Sequence, residues 1–479
     1  MSELKRSLSL LDATMIVAGS MIGSGIFIVS SDMARAVGSS GYLILLWVIT
    51  GVITVMAALS YGELAGMMPK AGGQFVYIQR AFGDFTSFIY GWTVFTVIQT
   101  GTIAAVAVAF TKYFAVFVPE LNNEVLNISN GSFIINYGQL CAIVIILLLT
   151  YINTRGINSG KVIQVLFTSA KLIALFALII IGIYIGLNSD TLAANFSNAW
   201  EASTTTYKDG VLTVVPIAGF ALVGAAGATI INSLFSADAW NNVTFIAGEI
   251  KDPKKNIPRS LFLGTLIVTI VYVLANIAYL SLLPLHGNPE ATDVQGLGMQ
   301  FAAKDRVGAA AASMIFGDIG LYLMAALIMV STFGCNNGLI LAGSRVYYAM
   351  AKEKLFFAKA GELNKFSVPA IALWTQCAWA CALCLTGTYK DLVSYATFAS
   401  MIFYIVTIAG IFVLRKNEPD AERPYKAFGY PLIPALYILA AIAICVILII
   451  YDGRNTGFAL VWVALGIPVY FFAKRKVVS

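Results

Sequence analysis

Charged residues are scarce in this 479-residue sequence. They make up 11% of it, under half the roughly 25% of an ordinary soluble protein. A globule of this size cannot be covered with polar surface at that fraction, so a soluble fold is excluded. Disorder is excluded too, because disordered chains are rich in charge and poor in aromatics, and here 59% is hydrophobic and 12% aromatic. There is one histidine, His286, in a loop beside Pro284. The segment Gly38-Ser-Ser-Gly41 fits a serine-nucleophile pattern, yet a general base must reach its serine, and none is placed to do so. Gly156-Ile-Asn-Ser-Gly-Lys161 misses a phosphate loop by one residue in its spacing, and Val162 stands where Ser or Thr belongs. No basic patch on a soluble face exists for nucleic acid. The six cysteines all lie in apolar segments, which argues against a disulfide framework. Cys377, Cys381 and Cys384 share one helical face but lack a fourth ligand nearby, so they read as small packing residues rather than a metal site. No cofactor is implied.

What is present is apolar sequence, at a mean hydropathy of +0.84. Runs such as Tyr42 to Ala58 and Leu436 to Tyr451 approach the ~20 residues that cross a bilayer as a helix. Hydropathy punctuated by charged loops predicts an all-α polytopic membrane protein with twelve spans. They are 9–36, 42–65, 85–117, 136–152, 160–187, 213–248, 260–284, 309–350, 369–388, 391–414, 428–451 and 457–473. With both termini on one side, that side holds 21 Lys and Arg, from Lys5 to Lys476, against 7 on the other; Lys171 and Arg345 fall within spans. The excess marks the cytoplasmic side. The three longest polar loops (117–136, 188–212 and 285–308) are too short for a soluble domain, so function must sit in the membrane. No cleavable signal peptide is legible at the start.

Two spans carry breaks. The first contains Gly19-Ser-Met-Ile-Gly-Ser-Gly-Ile-Phe27. Gly19 and Gly23 could serve close helix packing, but Gly25 does not fit the same face, and three glycines cost about 1 kcal/mol each in a helix. An unwound break is expected. The sixth stretch, 213–248, is too long for one crossing and holds a single charge, Asp238. A break there would leave two half-helices. Interrupted segments at corresponding places in two halves point to an inverted-repeat transporter with a midplane site. Amides of Gly23, Ser24 and Gly25 would start the outer half-helix and attract a carboxylate. Carbonyls free at Met21, Ile22, Phe235 and Ser236 would face an ammonium. Donors on one side and acceptors on the other suit an α-amino acid.

These segments resemble a known family. Gly19 to Phe27 is similar to the first-helix signature of the amino acid–polyamine–organocation superfamily. Ser233-Leu-Phe-Ser-Ala-Asp-Ala-Trp-Asn241 and Gly248 to Pro258 resemble its L-type amino acid transporter branch. Tyr61-Gly-Glu-Leu, Lys70-Ala-Gly-Gly, Ser331-Thr-Phe-Gly-Cys-Asn-Asn-Gly338 and Glu422-Arg-Pro-Tyr-Lys426 match in family order. The resemblance implies a leucine-transporter-like five-plus-five inverted repeat, here 9–187 and 213–414, with two added helices over 428–473. It also implies amino acid exchange by alternating access, with Phe235 as a gate and a substrate site over Ser20 to Gly25, Phe235, Ser236 and Asp238. Animal relatives bond a heavy chain through a cysteine between helices three and four. The stretch 117–139 has none, so a stand-alone, prokaryotic-type protein is expected in the cytoplasmic membrane, with the lipid bilayer and its amino acid substrates as partners. Asp238 stands where several relatives have glycine, which leaves open proton coupling and cationic amino acids or polyamines.

A charge within a span costs at least ~2.5–3.5 kcal/mol on insertion scales, so each needs a reason. The resemblance places Lys171 against the first helix, where sodium-coupled relatives of the wider fold bind an ion. An ammonium there would replace sodium; the bland alternative is a lysine snorkelling to the interface. Asp238 could meet the substrate amine, cap an inner half-helix or carry a proton. Glu63 and Glu249 read as members of ion pairs and Arg345 as a cap of the eighth helix. Trp240 reads as packing, and the sequons at Asn127 and Asn130 as coincidence. The expectation is a sodium-independent exchanger of neutral L-amino acids, with proton-coupled uptake as the alternative.

Overall fold

The computed structural model describes residues 6–128, 133–385 and 389–478. Lys5 and the Asn130 sequon lie outside them, as do the side chains at 127, 128, 133, 157–164 and 473–478, including those of Lys161, Lys474, Arg475 and Lys476. The helices are α1 (Leu10–Met21), α2 (Gly25–Val37), α3 (Ser40–Met67), α4 (Gln74–Phe114), α5 (Tyr137–Thr154), α6 (Ile157–Gly186), α7 (Asp190–Ser197), α8 (Gly219–Ser236), α9 (Pro253–Leu282), α10 (Val307–Phe316), α11 (Asp318–Lys352), α12 (Ala370–Cys384), α13 (Tyr389–Asn417), α14 (Leu432–Tyr451) and α15 (Gly453–Val478).

Ten described helices are long and apolar enough to cross a membrane, and the bent pair α1–α2 makes an eleventh span. The expected ninth span is the short one: α12 has 15 residues, fewer than a bilayer core requires. The fold is all-α and polytopic. Its lipid-facing surfaces carry exposed Ile173, Ile180, Leu439 and Ile450, as expected of helices solvated by hydrocarbon rather than water.

The ends of the elements follow local chemistry. Ser9 and Asp12 form a capping box at α1, the Asp12 amide donating to the Ser9 hydroxyl (3.2 Å) and the Ser9 amide to the Asp12 carboxylate (2.8 Å). Gly38, at φ +48°, ends α2, and the Ser39 hydroxyl caps α3, so Gly38 and Ser39 make the interhelical turn and Gly41 already lies in α3.

Two departures from the expected spans concern the sixth stretch. Its first residues are not helical: Val211–Pro216 pairs with Ser203–Lys208 as an antiparallel hairpin. Asp209 and Gly210 both take positive φ at the tip, the turn geometry an Asp-Gly pair favours, and the flanks are rich in Thr and Val. Nor does a second half-helix follow the break. Ala239 adopts φ +65°, which stops helical propagation. Beyond it come only the one-turn helix Asn242–Phe245 and a short tight turn at Ala247–Glu249.

α4 is bent at Gly83 and carries a wide turn at Val94–Ile98, where the Thr100 hydroxyl donates to the Phe95 carbonyl at 2.6 Å. Such single-turn widenings cluster at functional places in helices.

Candidate functional site

The break in the first span is real and short. α1 and α2 are bent by 40° about residues 22–24. The Gly23 amide donates back to the Met21 carbonyl at 2.9 Å, so it is turned away from any ligand, contrary to expectation. Ser24 and Gly25 open α2, where unpaired amides and the helix dipole favour an anion.

Every carbonyl expected to be free meets a partner within the protein. Lys171, 1% exposed, reaches from α6 and donates to the carbonyls of Gly19 (2.7 Å) and Ile22 (2.6 Å), with Ser331 O at 3.4 Å. The Ser331 hydroxyl also donates to Ile22 O at 3.1 Å, and the Cys335 thiol to Ser20 O at 3.0 Å. The Tyr272 hydroxyl stands between Met21 O (3.0 Å) and Ser236 O (2.9 Å). It has one proton, so one of those carbonyls keeps spare acceptor capacity. Phe235 O accepts the Asp238 amide at 3.1 Å. The unwound backbone, which hydrocarbon would leave unsatisfied, is thus satisfied by α6, α9 and α11.

The two breaks touch. A Cβ built on Gly25 would lie 2.0 Å from Ser236 Oγ and 3.0 Å from its Cα, so only glycine allows α2 and α8 to meet there. Gly23 has more room, its nearest neighbour being Cys335 Sγ at 3.3 Å. Phe235 is buried, with its ring edge-on to Tyr389 at 6.2 Å between centroids. The Tyr389 hydroxyl is 3.3 Å from Ser24 Oγ. Above this pair a cavity of about 810 Å³ opens at one end of the bundle, lined by Asp32, Lys112, Asp305, Arg306 and Tyr389 among others. In the adjoining loop, burial and then Arg306 lower the Lys304 ammonium from its usual value, and burial lowers Arg306.

Below the breaks lies a small cavity of about 20 Å³, room for one water, where Gln99, Thr102, Asp238, Ser400 and Tyr404 meet apolar Val94, Ile98 and Phe245. The Asp238 carboxylate accepts the Tyr404 hydroxyl and caps no helix, because the one-turn helix Asn242–Phe245 has Asn241 at its N-cap and no side-chain cap. Tyr404 is held by Trp240 (5.3 Å) and Tyr61 (6.0 Å). On the wall of the same cavity Gln74 joins three elements: its amide donates to Phe403 O and Thr407 Oγ1, and its carbonyl accepts Tyr90 and Asn241.

The far end is shut by two ion-pair sites. Arg345 bonds Glu249 at 3.1 Å, both almost fully buried, and sits inside α11 rather than capping it. Glu63 takes Arg415 (2.6 Å) and Arg423 (3.2 Å). Sequence reasoning missed Tyr272, Tyr389 and Tyr404. Nothing in their local sequence sets them apart from other buried tyrosines. Ser331 and Cys335 were signalled, inside the Ser331 to Gly338 motif. Cys377 and Cys384 are buried packing residues, and among the described residues no His, Cys, Asp and Glu group could hold a metal ion.

Comparison with known proteins identifies the family. A Bacillus subtilis protein, the serine/threonine exchanger SteT, is 29% identical over 99% of this chain and 98% of its own. The large neutral amino acids transporter small subunit 2 of Mus musculus is 29% identical over 98% of this chain and 81% of its own. The mouse b(0,+)-type amino acid transporter 1 is 27% identical, covering 98% and 88%. The amino acid permease family model matches residues 8–472, and this chain, a multi-span membrane transporter and not an enzyme, belongs to that family.

Proposed function

We propose that the protein is a sodium-independent exchanger of neutral L-amino acids in the cytoplasmic membrane, working by alternating access. The observation that carries this reading is the α1–α2 break, pinned by Lys171 and opposed by the Phe235–Asp238 stretch. The substrate carboxylate binds the Ser24 and Gly25 amides, and its ammonium takes the spare capacity at Met21 O or Ser236 O. Phe235, backed by Tyr389, closes over it. The Lys171 ammonium occupies the place of a coupling cation, which supports operation without sodium. The relatives named as an exchanger and as neutral amino acid transporters support the substrate class. The chain works alone, as the absence of cysteine in 117–139 suggests. Its repeats run over 9–187 and 213–414, with 428–473 added. Both termini and the ion-paired end face the cytoplasm, and the large cavity faces outward.

The test uses purified protein in liposomes loaded with unlabelled alanine, followed by uptake of radiolabelled alanine or serine without sodium or a pH gradient. Uptake only when an amino acid is inside is expected. Uptake into empty vesicles driven by a pH gradient would overturn exchange in favour of proton coupling through Lys171 or Asp238. Uptake of cationic amino acids or polyamines alone would overturn the neutral assignment.

A further inference from the structure

The large cavity has chemistry that closing a gate does not require. Five basic and three acidic side chains line it. Two of the acids, Asp32 and Asp305, share the single charge of Arg35, and with Arg35 counted the basic groups still outnumber the acidic ones, so the cavity carries an excess of positive charge. Lys112 is the cation nearest the floor. It projects from the last turn of α4, its Nζ lying 5.0 Å from the centre of the Tyr389 ring. Among the described residues no carboxylate lies within ion-pair distance of it. Its backbone carbonyl accepts Arg306 at 2.7 Å, which fixes a second cation beside it, and Arg306 Nε is itself buried without an acceptor among the described residues. A lysine ammonium over an aromatic face keeps its outward hydrogens for another acceptor. The same Tyr389 ring meets Phe235 on one edge and Ser24 through its hydroxyl.

We propose that this cavity is a second, outer binding site for the substrate, in which Lys112, with Arg306 behind it, holds the amino acid's carboxylate before it passes Tyr389 to the α2 amides. The proposal rests on the exchange reading above. The carboxylate meets a fixed cation first and a helix N-terminus second, so it is never left without a positive partner along the path. Displacing Tyr389 from Ser24 frees that hydroxyl and opens the Phe235 contact in the same movement. An outer site of this kind acts on one face of the membrane only, because Lys112 has no access to the ion-paired end.

The experiment compares right-side-out and inside-out membrane vesicles from cells expressing the full chain, measuring alanine exchange with Lys112→Met, Lys112→Arg and the unaltered protein. Lys112→Met is expected to raise KM about fivefold in right-side-out vesicles, the size of one partly solvated charge contact. KM in inside-out vesicles and the maximal rate stay unchanged, and Lys112→Arg restores the low KM. Replacing chloride by gluconate leaves these values alone if the occupant is the amino acid; an effect of chloride equal to that of the substitution would show an inorganic anion there and overturn the proposal. Equal changes in both vesicle types, or none, would overturn it also. A rise confined to inside-out vesicles would uphold the site and overturn the outward orientation. Failure of the unaltered protein to exchange alanine or serine would instead overturn the reading on which the proposal rests.

Discussion

Lys171 is where a single side chain decides most. Its Nζ satisfies two carbonyls of unwound backbone that have no water to turn to. Removing it orphans Gly19 O, at about 1–3 kcal/mol, and leaves Ile22 O to the Ser331 hydroxyl alone. Lys171→Ala is therefore expected to cut exchange at least about tenfold while membrane expression stays intact, as uptake assays on matched protein amounts would read; unchanged uptake would remove Lys171 from the mechanism. The residue was legible because a lysine in mid-span is costly enough to need a reason. Its partners were not, since which carbonyls face α6 depends on where helix breaks fall to within a residue. The carbonyls of the breaks make the same point: sequence marks Met21, Ile22 and Ser236 as released from helix, but not that Tyr272 and Lys171 collect them.

Between elements, the tightest demand is the meeting of α2 and α8 at Gly25 and Ser236. Gly25→Val would push Cγ atoms into Ser236 and force the helices apart. It is expected to abolish saturable binding of labelled amino acid to purified protein. Gly25→Ala should weaken binding less, and combining it with Ser236→Gly should recover part of the loss, because the oxygen and Cβ nearest the new methyl are then gone. No recovery would mean the backbone approach itself, or the amides, sets the limit. The sixth stretch shows why elements are harder to read than residues. Hydropathy cannot tell the apolar Val211–Pro216 strand from the start of a helix; the Asp209-Gly210 turn could have, had turn chemistry been weighed against hydropathy. Likewise Ala239, three residues past the end of α8, keeps the chain from resuming a helix by a left-handed backbone that no alanine advertises.

At the scale of the whole molecule the two ends differ, one holding an 810 Å³ cavity and the other the Glu249–Arg345 and Glu63–Arg415 pairs. Arg345→Met leaves Glu249 buried without a counter-charge, which costs about 3–5 kcal/mol for a pair broken on one side. Heat denaturation of the purified protein should show that loss, whereas the double change with Glu249→Gln should be milder. Equal destabilisation by both would mean the pair matters through packing alone. Spans and family were legible from end to end because bilayer thickness and charge scarcity leave few alternatives. The exceptions are α12, whose 15 residues fall short of the expected crossing, and the sixth stretch, of which only Gly219–Ser236 spans.

The wide turn at Val94–Ile98 links those two ends. One surplus residue in a helix rotates everything beyond it by about 100°. Gln99 and Thr102 look into the inner cavity, and Lys112 into the outer one, only because that residue is counted in. In α4, then, length is as constrained as identity: a one-residue deletion at the turn would misaim three side chains that no substitution had touched, while the same deletion in an interhelical loop would be absorbed.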